Sequence, residues 1–310
     1  MDSQSITKNV ILNNGVSMPI FGLGTSQLPN VDNIVYESIK LGIRMIDTAM
    51  LYNNEVKVGL GINKAISEGI VKREDLFIIT KIWYTHKHVP EEALKSQLKN
   101  LNLTYVDLYL DHFPFSINEV EGKVIKTPTH VLWKNMEDLV KKGLTKSIGV
   151  SNYNAQLILD ILSYCEIKPV VNEVEFHPYF YQSDLLEFCK NQDIVVIAYC
   201  SMCKANYMDF LHNKNVNLDL LSEKVIIDLG LKYNKTPGQI ALNWALAQGV
   251  SVIPMSSKVN RIAENIGSLD FTLSNEDIKE ISCLNKSHRT LPSTMLDLVI
   301  PNTKHLNIYA

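Results

Sequence analysis

Cysteine is scarce: five residues in 310 make no disulfide scaffold, and the odd count leaves at least one thiol unpaired. A reducing compartment is the simplest setting for such a chain. Neither charge sign dominates, because 30 Lys and Arg against 33 Asp and Glu give a net charge of −3. A nucleic-acid binder would show a basic excess, so that class is not expected. Long apolar runs are missing too. Runs such as Ile194 to Tyr199 fall far short of the roughly 20 residues that span a bilayer. Met1-Asp2-Ser3-Gln4-Ser5 lacks the basic start and apolar stretch of a signal peptide, so a cytoplasmic protein with no membrane partner is expected. The sequons at Asn102, Asn234 and Asn285 then read as chance. With 46% hydrophobic residues the chain is also too apolar for intrinsic disorder.

What is present is alternation. Short apolar runs recur at Ile20–Thr25, Met45–Thr48, Leu76–Trp83, Val106–His112, Ser147–Ser151, Val170–Phe176, Ile194–Cys200 and Val250–Met255. Most are continuously apolar and rich in β-branched or aromatic residues, which suits strands buried on both faces. Between them lie helical patterns. Residues 91–103 place Ala93, Leu94, Leu98 and Leu101 on one side, with Pro90 at the first turn, and Thr236-Pro237 opens another helix. Eight strands each followed by helix or loop is the count of a (β/α)8 TIM barrel, an α/β fold, in one domain over residues 1–310. Asn13-Asn14-Gly15 between two short apolar runs predicts an N-terminal β-hairpin capping the barrel bottom. Long loops at 113–127 and 201–219, and a tail from 287, are expected on the C-terminal face, where barrel sites form.

The polar residues gather at the strand ends. Asp47, Lys81, His112, Ser151 and Asn152, Glu173 and Tyr199 sit near the ends of successive strands, and Tyr52 follows Asp47 by five residues. In a parallel barrel those ends converge. Buried charges need partners, which pairs Asp47 with Lys81. Phenol, ammonium, carboxylate and neutral imidazole together make a proton-transfer device, in which the ammonium is expected to lower the phenol pKa. The competing reading is an internal ion pair lining a wet cavity.

The chain resembles the aldo-keto reductases over nearly its whole length. The resemblance rests on Asp47-Thr48-Ala49 with Tyr52 and Asn54-Glu55, then Thr80-Lys81-Ile82-Trp83, then Asp111-His112-Phe113-Pro114. Residues Ser147-Ile148-Gly149-Val150-Ser151-Asn152-Tyr153 and Glu175-Phe176-His177-Pro178-Tyr179 follow in order. The resemblance implies an NAD(P)H-dependent oxidoreductase that reduces aldehyde or ketone carbonyls. It makes Tyr52 the general acid, with Lys81 and Asp47 tuning it and His112 orienting the carbonyl. His112 favours carbonyl over carbon–carbon double-bond reduction, for which relatives carry glutamate there. No Rossmann fingerprint is present, since Gly22-Leu23-Gly24 would need glycine at Gln27. The implied cofactor site takes in Gly24, Thr25, Ser26, Asp47, Ser151, Asn152 and Glu173, with Tyr199 stacking on the nicotinamide. It continues through Cys200, Met202, Met255 and Ser256 to Arg261, Glu264 and Asn265, where Arg261 would meet a 2′-phosphate.

Three departures stand out. Glu173 replaces the usual glutamine against the carboxamide. Met255 replaces the lysine of NADPH-preferring relatives, so NADPH is expected with weakened discrimination against NADH, Lys258 being able to compensate. Cys200-Ser201-Met202-Cys203 replaces a Ser-, Pro- and Gly-containing turn, and its cysteine pair is not expected to bind metal, having no further ligands. His86 and His88 are expected to face solvent. Trp83 and Phe113, with Leu296, Val299 and Ile300 of the tail, would wall the substrate pocket alongside Tyr52 and His112. Ser26 and Phe113 replace tryptophans of aldose-reductase-type relatives and imply a roomier opening. Trp133 and Trp244 read as core. A monomer or weak dimer is expected. Two alternatives remain: a cofactor-binding barrel with a regulatory or structural role, and a hydrolase using Glu173 and Glu175.

Overall fold

Eight parallel strands, hydrogen-bonded in chain order, form the centre of the computed structural model, which describes residues 8–116, 127–203 and 219–291. They are β3 (Gly22–Gly24), β4 (Met45–Asp47), β5 (Phe77–Ile82), β6 (Val106–Asp111), β7 (Thr145–Ser151), β8 (Val171–Glu175), β9 (Val195–Tyr199) and β10 (Ser251–Val252). The ring closes where Phe21 bridges Val252 and the Val252 amide donates to the Ile20 carbonyl at 2.9 Å. Every position of β5 and β6 is buried, as their continuous apolar runs require. The eighth strand is shorter than its apolar run, and Pro254 lies just beyond it with no N–H to donate.

Helices α1 (Val31–Lys40), α2 (Glu55–Ser67), α3 (Pro90–Leu101), α4 (Thr129–Lys141), α5 (Ala155–Leu162) and α6 (Ser183–Asn191) run between the strands. After β9 come α7 (Lys224–Tyr233) and α8 (Pro237–Ala247), and after β10 come α9 (Val259–Ile266) and α10 (Asn275–Ser282). Proline opens α3 and α8, where its missing N–H leaves no hydrogen bond unmade. Gly59 lets α2 press against the end of α3, since a Cβ there would stand 2.4 Å from the Leu101 carbonyl oxygen. Trp133 and Trp244 are core residues on α4 and α8.

The hairpin pairs β1 (Asn9–Ile11) with β2 (Ser17–Pro19). Its loop spans 13–15, and Gly15 alone of the three takes a positive φ, +83°. That is a three-residue loop closed by a left-handed glycine, not the two-residue Asn-Gly turn. Leu12 and Met18 plug the barrel's lower interior beside Met45, Phe77 and Ile79, and Asn13 Nδ2 donates to the Pro169 and Asp193 carbonyls. Of the expected loops and tail, residues 117–126, 204–218 and 292–310 lie outside the described residues, and Leu296, Val299 and Ile300 with them. Among the described residues no helix is long and apolar enough to cross a membrane.

Candidate active site

Asp47 ends β4, and the chain then makes a short 3₁₀ turn, Met50–Tyr52, that carries Tyr52 over the barrel mouth. Asn54 ties this turn down by donating to the Thr25 carbonyl at 2.8 Å and accepting from Thr48 Oγ1 at 3.1 Å. Lys81, fully buried on β5, donates to Asp47 Oδ2 at 2.5 Å and to the Thr48 carbonyl at 3.1 Å. Its ammonium stands 5.3 Å from the centre of the Tyr52 ring. His112, next after β6, meets Tyr52 edge-on at 6.0 Å between ring centres. The four expected catalytic side chains therefore converge.

The charge states follow from burial and neighbours. Burial works against the Lys81 charge, but Asp47 and then Glu173 outweigh it and hold the ammonium above the ordinary lysine range. Burial, with lesser help from Lys81 and Lys87, holds the His112 imidazole well below its ordinary value, so it is neutral. Burial also raises the Tyr52 phenol; Lys81 pulls it down, Asp47 and Glu173 push it up, and the net shift is upward. The expected lowering by Lys81 is present but outweighed. Tyr52 is thus a neutral phenol.

Glu173 introduces a second acid. Its Oε1 lies 3.2 Å from Lys81 Nζ, and its Oε2 is buried without a hydrogen-bond partner. Burial first, then Asp47, pushes the Glu173 carboxyl up to about 8. Asp47 is raised by burial as well, against the pull of Lys81. Because Lys81 sits closer to Asp47, the charge rests on Asp47 and the proton on Glu173.

A cavity of about 730 Å³ opens over this group. Asp47, Tyr52, His112, Phe113, Asn152, Glu173 and Tyr199 line it, as do Gly24, Ser26, Cys200, Met202, Met255, Ser256, Arg261, Glu264 and Asn265. Thr25, Lys81, Trp83 and Ser151 stand behind the wall. The Ser151 hydroxyl is engaged, donating to the Glu173 carbonyl at 2.9 Å and accepting from Asn152 Nδ2 at 3.1 Å. Trp83 packs on His112 at 5.1 Å and on Phe113 at 5.9 Å. Asn152, in a left-handed conformation, also donates to the His112 carbonyl and accepts from the Tyr199 hydroxyl at 2.7 Å. Arg261 is the one Lys or Arg side chain among the lining residues described; Lys258 is exposed and does not line the cavity.

Glu175 does not join Glu173: it accepts from His177, from the Thr290 hydroxyl at 2.6 Å and from the Leu291 amide at 3.2 Å, which removes the basis for a two-carboxylate hydrolase. Cys200 and Cys203 are unpaired, and burial, followed by Glu175, pushes the Cys203 thiol up to about 12 and raises that of Cys200. His86 and His88 are exposed, but Lys87 between them is buried. Lys87 donates to Asp111 and to the Phe113 carbonyl, and Tyr153 donates to Asp111 at 2.6 Å, bracing the segment behind His112. The sequence signal for this brace was Asp111 itself, an acid ending an apolar run, which demands a buried donor. Thr236, Pro237 and Gly238 also line the cavity, at the start of α8. Thr236-Pro237 marks that helix start in the sequence but carries no signal of its place at the cavity.

The sequence model of the Aldo/keto reductase family matches residues 21–286. The chain is 40% identical to an NAD(P)H-dependent D-xylose reductase of Pyricularia oryzae, over 90% of this chain and 93% of that protein. It is also 40% identical to the 4-dihydromethyl-trisporate dehydrogenase of Mucor mucedo, over 89% and 92% respectively. Among solved structures, a Bombyx mori aldo-keto reductase in complex with NADP matches with a TM-score of 0.87 and 34% identity, over 96% of this chain and 98% of that one.

Proposed function

The chain belongs to the aldo/keto reductase family, and from that premise we propose how its residues reduce aldehyde and ketone carbonyls with NAD(P)H. Tyr52 is the proton donor and His112 the carbonyl-orienting group, while Lys81 and Asp47 set the proton affinity of Tyr52. The observation that carries this reading is the Lys81 ammonium, locked on Asp47 at 2.5 Å and 5.3 Å from the Tyr52 ring, opposite a neutral imidazole.

The carbonyl oxygen accepts hydrogen bonds from the Tyr52 O–H and a His112 N–H. Bound NAD(P)H supplies the hydride to the carbonyl carbon. As charge builds on oxygen, the Tyr52 O–H bond breaks and a new O–H bond completes the alcohol. The tyrosinate left behind is stabilised by Lys81, whose charge Asp47 maintains. A proton from solvent then restores the phenol. The raised Tyr52 pKa keeps the donor loaded at neutral pH.

The cavity wall fits a dinucleotide by its chemistry. The Glu173 carboxyl and the Asn152 amide would meet a carboxamide, Tyr199 offers a ring to stack on, and Arg261 offers a fork of donors to phosphate. Met255 leaves Arg261 as the main cation for a 2′-phosphate, so NADPH serves but NADH is accepted as well. The two named relatives act on a pentose and on a trisporate derivative, so family membership leaves substrate size open. Ser26 and Phe113 on the wall support a bulky carbonyl.

Tyr52→Phe is the test. Turnover with a generic aldehyde, followed by NADPH absorbance, should fall by about 10²–10⁴-fold while nucleotide affinity stays within a few-fold. A variant that keeps near-normal kcat would overturn the assignment of Tyr52.

A further inference from the structure

Lys81 is a single cation between two acids. Its Nζ lies 2.5 Å from Asp47 Oδ2 and 3.2 Å from Glu173 Oε1, and all three side chains are at most 2% exposed. One ammonium fully compensates one carboxylate, and two buried acids this close do not both ionise cheaply. The shorter contact gives Asp47 the lasting charge. Glu173 becomes the acid whose proton comes and goes; its Oε2 is buried without a hydrogen-bond partner, and the residue lines the same cavity as Tyr52.

A hydride donor must place its reacting carbon about 3–3.5 Å from a carbonyl carbon whose oxygen Tyr52 holds. The reading above places the nicotinamide against the stretch of wall formed by Asn152, Glu173 and Tyr199. We propose that Glu173 reads the redox state of the nicotinamide: ionised it favours the cationic oxidised ring, and protonated it favours the neutral reduced ring. This rests on the reading above that NAD(P)H occupies this cavity. The two forms of the cofactor differ by one unit charge at the ring, and Glu173 is the ionisable group free to answer that difference.

The groups that act on Glu173 are Asp47 from β4, Lys81 from β5 and Tyr52 from the 3₁₀ turn, and His112 after β6 and Tyr199 from β9 line the same cavity. Lys81 is held charged, Tyr52 and His112 are held neutral, and Tyr199 donates to Asn152. The proton shared by the two acids, with Glu173 pushed up to about 8, is therefore the one that moves in the ordinary pH range. Linkage is reciprocal: the oxidised nucleotide expels that proton on binding, and the reduced nucleotide retains it. Acidic conditions then favour holding NADPH for reduction, and alkaline conditions favour holding NADP⁺.

The test is calorimetric titration of the native protein with NADP⁺ and with NADPH at pH 6.5 and 9.5. Running it in two buffers of different ionisation enthalpy counts the protons exchanged. Both nucleotides carry the same phosphates, so their own ionisation cancels in the ratio of dissociation constants. Kd(NADP⁺)/Kd(NADPH) should fall by about tenfold or more between the two pH values, the equivalent of one pKa unit of coupling. NADP⁺ should release protons near pH 8 that NADPH does not, and Glu173→Gln should abolish both effects. A pH-independent ratio in the native protein, or an unchanged pH dependence in Glu173→Gln, overturns the proposal. The proton count on the native protein decides the matter even if the variant does not fold. Failure of both nucleotides to bind at either pH would instead overturn the assignment of the cavity.

Discussion

A carboxyl whose folded-state pKa stands above its unfolded value stabilises the fold fully only below the unfolded value, and loses that contribution as pH rises through the folded one. Glu173, pushed from an ordinary 4.5 up to about 8, has this sign. The nucleotide-free protein should therefore lose stability between pH 5 and pH 8, by about 2–4 kcal/mol from this residue. Glu173→Gln should flatten that slope, as read by urea unfolding at the two pH values. An identical slope in both proteins would mean that Glu173 is ionised throughout. At this scale the identities of Asp47, Tyr52, Lys81 and His112 were legible, because polar residues at the ends of apolar strands must converge. The upward shift of Tyr52 and the proton on Glu173 were not, since these depend on distances between strands. Lys87 was hidden for the same reason: flanked by two exposed histidines, it reads as solvated until Asp111 and the Phe113 carbonyl are placed beside it.

Elements decide what the cofactor meets. The loop after β10 and helix α9 bring Met255, Ser256 and Arg261 to the cavity, while Lys258 at the N-cap of α9 stays exposed and off the wall. Compensation for Met255 by Lys258, which the sequence allowed, has no support in this geometry. Met255→Lys should place a second cation beside Arg261. It should raise the ratio of kcat/KM for NADPH over NADH by about ten- to a hundredfold, the value of one charge-assisted hydrogen bond. An unchanged ratio would place the 2′-phosphate elsewhere, and a native ratio in the thousands would sink the idea of weak discrimination. Strand and helix identities came through in the apolar runs and in the prolines that open α3 and α8. The role of the α8 start did not, because a helix N-terminus joins a site only once the barrel brings it to the cavity.

At the scale of the whole molecule the barrel separates chemistry from closure. Tyr52, His112 and the cavity occupy the C-terminal face, and the hairpin seals the opposite end, a division this architecture imposes. Eight apolar runs made the barrel readable, and Asn13-Asn14-Gly15 announced the hairpin. The runs at Ile20–Thr25 and Val250–Met255 marked the two closing strands, but not that they shrink to three and two residues or that Phe21 and Val252 make the closing bridge. The plug offers a direct check on the separation. Leu12, 2% exposed, packs in one cluster with Met18, Met45, Phe77 and Ile79 and does not line the cavity. Leu12→Ala leaves a cavity in a layer fixed by strands on all sides, which has little room to collapse. It should cost about 2–4 kcal/mol in denaturant unfolding. At 25 °C, where the variant remains folded, kcat should match that of the native protein. A kcat that falls together with stability would mean that the bottom of the barrel sets the geometry at Tyr52, and that the two ends are not independent.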